Sequence, residues 1–322
     1  MRWNSITGSG GLSTSASYSA NSGLAIDCPI GISSASACFN YGGFFIVYDA
    51  RRSIVPCDFD GDGRTDAWYY DKRSGSWYLI LSSSDGALLS MRFGGPDALP
   101  AVEDYDGDGK ADPGVYWQPQ GLWQVLLSGS GYTSVTYVGP PGGVPAPGDY
   151  DGDGYADFAA LTPKTQEWTI LLSRQYYAAA LGCFSAGGYL PASADFDGDG
   201  LTDPAVYREK TGQWIVALSA GGYALGSCVL GGPGYLPVPA DYDGDLKADP
   251  MVYSPADGMW RTFLSANEYR CFDCPFGGQG AMPRKGDYDG DGISDLAVLT
   301  SDLSKLYLLQ STEGFATIPP SK

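Results

Sequence analysis

The 322-residue chain carries 37 acidic against 19 basic side chains and no histidine, for a formal net charge of -18. No basic cluster is present to meet phosphate, which excludes nucleic acid and anionic membrane surfaces as partners. The missing histidine removes Ser-His-Asp and Cys-His catalysis and His-containing zinc sites, and no apolar run reaches the length of a membrane span.

With 46 glycines, 22 prolines and few stretches of helical period, the composition favours an all-β chain of tight turns. Residues 1–54 differ from the rest. Leu12 to Ala20 and Ser33 to Val47 are Ser-rich, alternate small residues and read as strands between turns. Cys38-Phe39-Asn40-Tyr41-Gly42-Gly43 echoes Cys183-Phe184-Ser185-Ala186-Gly187-Gly188 further on, so this segment reads as a degenerate repeat or the outer strand of one. The first residues show no signal peptide, as expected of a processed or truncated chain.

From residue 55 to 322 the chain repeats. Asp58-Phe59-Asp60-Gly61-Asp62-Gly63-Arg64-Thr65-Asp66 recurs from Asp104, Asp149, Asp195, Asp241 and Asp287, at intervals of 46, 45, 46, 46 and 46 residues. Each unit has a short apolar strand, the Asp loop, a second strand, and a third strand that opens on Trp77, Trp123, Trp168, Trp214 or Trp260, with Leu306 in the last copy. That strand ends in Leu-Ser, and a fourth runs into a Gly/Pro turn. Four short strands in about 46 residues are the signature of a β-propeller blade. We read seven four-stranded blades, six regular and one degenerate blade built from residues 1–54, with six blades as the alternative. The recurring tryptophans are expected to pack between blades.

Each loop sets aspartates at positions 1, 3, 5 and 9: Asp58, Asp60, Asp62 and Asp66; Asp104, Asp106, Asp108 and Asp112; Asp149, Asp151, Asp153 and Asp157; Asp195, Asp197, Asp199 and Asp203; Asp241, Asp243, Asp245 and Asp249; Asp287, Asp289, Asp291 and Asp295. Carboxylates at that density repel unless a hard, oxygen-seeking cation neutralises them, and Ca2+ fits best. About six Ca2+, one per repeat, would bring the charge from -18 to -6. The loop is not an EF-hand: position 12 is never Glu, and a strand follows where a helix would stand. Leu246 replaces Gly at position 6 of the fifth copy, where a positive φ favours Gly.

These repeats resemble the FG-GAP/VCBS family of β-propellers, which includes the integrin α chains and some fungal lectins. The resemblance rests on Asp-x-Asp-Gly-Asp-Gly-x-x-Asp followed by a strand. It implies calcium held by the aspartates together with the position-7 backbone carbonyls of Arg64, Lys110, Tyr155, Leu201, Lys247 and Ile293. It also implies an extracellular binding or adhesion module, usually without catalysis.

The expectation is a secreted or cell-surface propeller, not an enzyme, that binds glycan or protein. The alternative is a subunit that self-associates into a filament or surface layer by donating N-terminal strands. Tyr176-Tyr177, Gly222-Tyr223 and Gly234-Tyr235 are candidates for stacking on sugars. Of the seven cysteines, Cys28 and Cys38 are spaced to close a short loop, Cys271 and Cys274 form a CxxC, and the bland reading is buried small apolar side chains.

Overall fold

A computed structural model describes residues 57–84, 88–300 and 305–312. The expected N-terminal unit, with Cys28 and Cys38, lies outside these residues. The rest forms six antiparallel sheets in chain order. The first contains β1 (Ala67–Asp71), β2 (Ser76–Ile80) and β3 (Leu88–Arg92). The second contains β4 (Ala98–Pro100), β5 (Gly114–Trp117), β6 (Leu122–Leu127) and β7 (Thr133–Val138). The third contains β8 (Val144–Pro145), β9 (Phe158–Thr162), β10 (Glu167–Leu172) and β11 (Ala178–Gly182). The fourth contains β12 (Leu190–Pro191), β13 (Ala205–Arg208), β14 (Gln213–Leu218) and β15 (Ala224–Val229). The fifth contains β16 (Leu236–Pro237), β17 (Met251–Ser254), β18 (Met259–Leu264) and β19 (Arg270–Pro275). The sixth contains β20 (Met282–Arg284), β21 (Leu296–Leu299) and β22 (Leu306–Leu309). Each sheet is a meander of neighbouring strands, and the middle four have four strands. No helix among the described residues is long and apolar enough to cross a membrane.

The recurring tryptophans explain how the sheets stack. Trp77, Trp123, Trp168, Trp214 and Trp260 are at most 2 % exposed. Four face a tyrosine across the strand pair: Tyr70, Tyr116, Tyr207 and Tyr253, with ring centroids 4.6–5.0 Å apart. Behind the rings, each cluster draws on two sheets. Trp168, Ile170 and Phe184 meet Val206 and Ile215 of the fourth sheet, and Trp214 and Val216 meet Val252 and Phe263 of the fifth. The core is thus a series of inter-blade layers, as expected for these residues.

The ring closes at six, not seven. At position 8 of each loop the backbone N–H donates to the position-1 carbonyl of the loop before: Ala111 to Asp58, Ala156 to Asp104, Thr202 to Asp149, Ala248 to Asp195 and Ser294 to Asp241, at 2.6–2.7 Å. Thr65 donates to Asp287 at 2.6 Å and completes the circle. A second circle matches it. A Cβ on the position-4 glycine would meet the position-7 side chain of the following loop, as in Gly61 with Lys110, Gly107 with Tyr155 and, across the closure, Gly290 with Arg64. Residues 1–54 contain no Asp loop, so they have no group to enter either circle; a chain length of seven periods does not make seven blades.

The cysteines divide. Cys228 is buried, as the bland reading expects, whereas Cys183 and Cys271 are exposed. Cys271 and Cys274 lie on one strand, β19, three residues apart, and therefore point to opposite faces. None of the five described cysteines is in a disulfide.

Candidate metal centres

Each Asp loop connects the first and second strands of its blade, except in the first blade, where residue 57 begins the described chain. The aspartates fold the turn around themselves. In all six copies the position-1 carboxylate accepts two backbone N–H groups, from position 4 at 2.6–2.7 Å and from position 6 at 2.8–2.9 Å. The position-5 carboxylate accepts the position-7 N–H. The position-9 carboxylate is the most enclosed: Asp66, Asp112, Asp157, Asp203, Asp249 and Asp295 are fully buried. One of its oxygens takes the position-2 N–H, and the other takes the N–H of Ser82, Ser128, Ser173, Ser219, Ser265 or Ser311.

Those serines are the part of the site that sequence reasoning missed, although five of the six are the Ser of the repeated Leu-Ser, Ser311 following Gln310 instead. In five blades the same serine also donates its hydroxyl to the position-5 carboxylate, for example Ser219 to Asp199 at 2.8 Å. The next residue reaches the position-3 carboxylate, as Ala220 N–H does with Asp197 at 3.0 Å. In five blades the turn after the third strand therefore clamps the loop at three aspartates. The signal was present as a fixed separation of 16 residues between Asp and Ser.

One oxygen in the network is left over. The Oδ1 atoms of Asp106, Asp151, Asp197, Asp243 and Asp289, all at position 3, are buried without a hydrogen-bond partner. In the first copy, the Asp60 Oδ1 instead accepts the Asp62 N–H at 3.2 Å. Around these atoms the carboxylates converge. Oxygens of Asp58, Asp60 and Asp62 lie within 4.8 Å of one another, as do those of Asp149, Asp151 and Asp157, with similar groups at Asp104, Asp195 and Asp241. The electrostatic strain is visible in the proton affinities. Burial, then the neighbouring carboxylates, raises Asp157 and Asp203 to about 8, and Asp112 and Asp249 to about 7. A carboxylate oxygen buried without a donor is costly. Oxygen-only donors, in a turn fixed by backbone N–H groups, suit a hard cation such as Ca2+.

At position 6, Gly63, Gly109, Gly154, Gly200 and Gly292 have φ of 85–88°, and Leu246 is drawn to 67°. Its N–H still reaches Asp241 at 2.8 Å. The fifth loop keeps the shape and carries the strain.

The tyrosine candidates separate. Tyr177 and Tyr223 pack into inter-blade clusters, Tyr177 with its ring 4.1 Å from that of Tyr137. Tyr235 lies under the Arg261 guanidinium. Tyr176 alone of these is fully in solvent, 96 % exposed.

The closed circle of six sheets defines a six-bladed β-propeller. No family model matches the chain, and no curated protein matches it; the FG-GAP/VCBS likeness remains a resemblance of motif. Solved structures with a similar fold include virginiamycin B lyase from Staphylococcus aureus, with 9 % identity and a TM-score of 0.49 over 81 % of this chain and 86 % of that one. An Agrocybe aegerita lectin with specific recognition of non-reducing terminal N-acetylglucosamine has 14 % identity and a TM-score of 0.51 over 80 % and 79 %. BBS1N in complex with ARL6DN has 10 % identity and a TM-score of 0.50 over 80 % and 79 %. These likenesses are of fold. They correct one expectation: that the chain is not an enzyme does not stand, because an enzyme, the lyase, is among the proteins that share this architecture. The missing histidine excludes only His-dependent sites, and the propeller itself does not separate catalysts from binders.

Proposed function

We propose that the chain is a calcium-stapled propeller that works outside the cell as a binding module for a glycan or a protein. The observation that carries the calcium reading is the set of five buried, unpartnered Oδ1 atoms on Asp106, Asp151, Asp197, Asp243 and Asp289, each in a cluster of carboxylates. A cation at each loop would meet that oxygen and relieve the repulsion among its neighbours, and its binding free energy would become folding free energy. Loops of this kind fill at extracellular calcium levels without special tuning, which supports secretion or surface display. The binding reading is supported by the rigid scaffold, which carries its variable side chains on exposed hairpins such as that of Tyr176.

Two measurements test this. Metal analysis of the purified protein should find about six calcium ions per chain, and none after dialysis against chelator. A screen of glycans and extracellular proteins with the calcium-loaded chain should return a ligand. No bound calcium at millimolar supply would remove the first half of the reading, and a blank screen with folded, calcium-loaded protein would remove the second.

A further inference from the structure

The six Asp loops are tied to one another through their ligand-bearing residues. Position 8 of each loop gives its N–H to the position-1 carbonyl of the loop before, in an unbroken circle of six hydrogen bonds at 2.6–2.7 Å. Both ends of each bond sit among the candidate ligands. On the accepting side, position 1 is the aspartate whose carboxylate gathers the N–H groups of its own turn, as Asp149 gathers those of Gly152 and Gly154. On the donating side, position 8 stands between the position-7 carbonyl and the position-9 carboxylate, as Thr202 stands between Leu201 and the fully buried Asp203. A single hydrogen bond therefore joins the ligand-bearing backbone of neighbouring loops. A second contact removes the slack. The position-7 side chain of each loop lies on the position-4 glycine of the loop before, where a Cβ would come within 3.0–3.3 Å of it, as with Gly107 under Tyr155, Gly152 under Leu201 and, across the closure, Gly290 under Arg64. That glycine is the residue whose N–H holds the position-1 carboxylate at 2.6–2.7 Å.

We propose that the six loops take up calcium cooperatively, each filled loop setting the ligands of its two neighbours around the circle. The inference rests on the calcium reading above and adds how the sites fill. A cation that draws the position-1, position-7 and position-9 oxygens of one loop together fixes two things beyond that loop: the acceptor for the loop after it and the donor to the loop before it. The next cation then meets ligands whose ordering is already done, and it binds more tightly. The coupling is reciprocal between neighbours. Simple electrostatics act the other way, because loading one loop removes part of the negative field that attracts the next ion. That field is screened over about 8 Å at physiological ionic strength, whereas the backbone link is not screened, so the cooperativity persists when salt is raised. The consequence is a switch: the ring passes between empty and loaded over a narrow range of calcium instead of losing its ions one by one.

The test is hydrogen exchange of the full chain over a series of buffered free-calcium concentrations, each loop peptide read separately by mass spectrometry, with metal analysis for the total bound. In the unaltered protein the six loops are expected to gain protection together, the fifth with its Leu246 included, with midpoints within about twofold of one another and a Hill coefficient above about 2. Asp289→Asn, in the sixth loop, should raise the midpoints of the first and fifth loops by at least about fivefold, while the third loop, on the far side of the ring, moves least. The first loop decides, since it is reached only across the hydrogen bond from Thr65 to Asp287. Six bound calcium ions with scattered midpoints and a Hill coefficient no greater than about 1, or an Asp289→Asn effect confined to the sixth loop, would overturn the coupling and leave the calcium reading standing. A shift of equal size in all six loops would overturn it too, because the sites would then communicate only through global unfolding. No bound calcium would overturn both. Where Asp289→Asn does not fold, the midpoints and Hill coefficient of the unaltered protein decide alone.

Discussion

The backbone N–H of Thr65 donates to the carbonyl of Asp287 at 2.6 Å, and the Asp287 N–H returns to the Thr65 hydroxyl at 2.9 Å, across 222 positions of sequence. This pair fixes the number of blades, and its side chains fit one another. A Cβ on Gly286 would lie 2.5 Å from Thr65, just as a Cβ on Gly148 would lie 2.6 Å from Thr202, the other seam with threonine at position 8. Where position 8 is Ala248, the residue before the facing Asp is Ala194. At these three seams the residues are matched in volume.

Gly286→Ala is therefore expected to destabilise the protein by about 1–3 kcal/mol through overpacking at the ring closure. Adding Thr65→Ala should recover the overpacking part of the loss, while the φ of 159° at Gly286 leaves a residual backbone cost. A double-mutant cycle by denaturant unfolding measures the coupling. Additive losses would mean that the two residues do not meet and that the circle is not closed there.

Leu246 offers a gain. It holds φ of 67° at a position where five loops use glycine, with its side chain 66 % exposed. Leu246→Gly removes left-handed strain of about 1–2 kcal/mol and adds back about 0.5–1 kcal/mol of backbone entropy, so a net stabilisation of about 1 kcal/mol is expected. It should appear as a raised unfolding midpoint with an unchanged slope. The fifth loop should also bind calcium more tightly in the variant.

The fold was legible because the blades repeat the same local instructions: an Asp loop in all six, and a Trp on the third strand with a closing Leu-Ser in five. Seven blades were expected because counting periods gave residues 1–54 the weight of a blade. What closes the ring is the loop backbone, which a period count does not see. The loop aspartates were legible by their spacing. The role of Ser219 and its equivalents was not, because a hydroxyl 20 residues from Asp199 becomes its neighbour only once the strands pair. Tyr177 and Tyr223 looked like sugar platforms because sequence shows aromatic rings at turns and not the direction they face.

The pH response should change sign with calcium. Asp157 and Asp203, raised to about 8 first by burial, favour the protonated form in the metal-free fold, against about 3.9 in the unfolded chain. Their contribution is fully present below about pH 4 and is lost as the pH rises through about 8. With chelator present, the melting temperature should therefore fall between pH 5 and pH 8. With calcium present it should hold or rise over the same interval, since the ligands must be ionised to bind. Parallel curves in the two conditions would argue against metal at these loops.

Asp151→Asn separates the two influences in one residue. Its Oδ1 is buried without a partner, and burial with the neighbouring Asp153 and Asp149 raises its carboxyl to about 6. Replacing it by the neutral amide relieves repulsion when no cation is bound, so the variant should melt higher than the parent in chelator. In calcium the order should reverse, because the variant loses a charged ligand at the third loop and the bound stoichiometry falls from about six to about five. The crossing, read by thermal melts with and without chelator, is the result that a purely hydrogen-bonded turn does not produce. A variant that is stabilised or destabilised equally in both conditions would show that Asp151 serves the turn and not a cation.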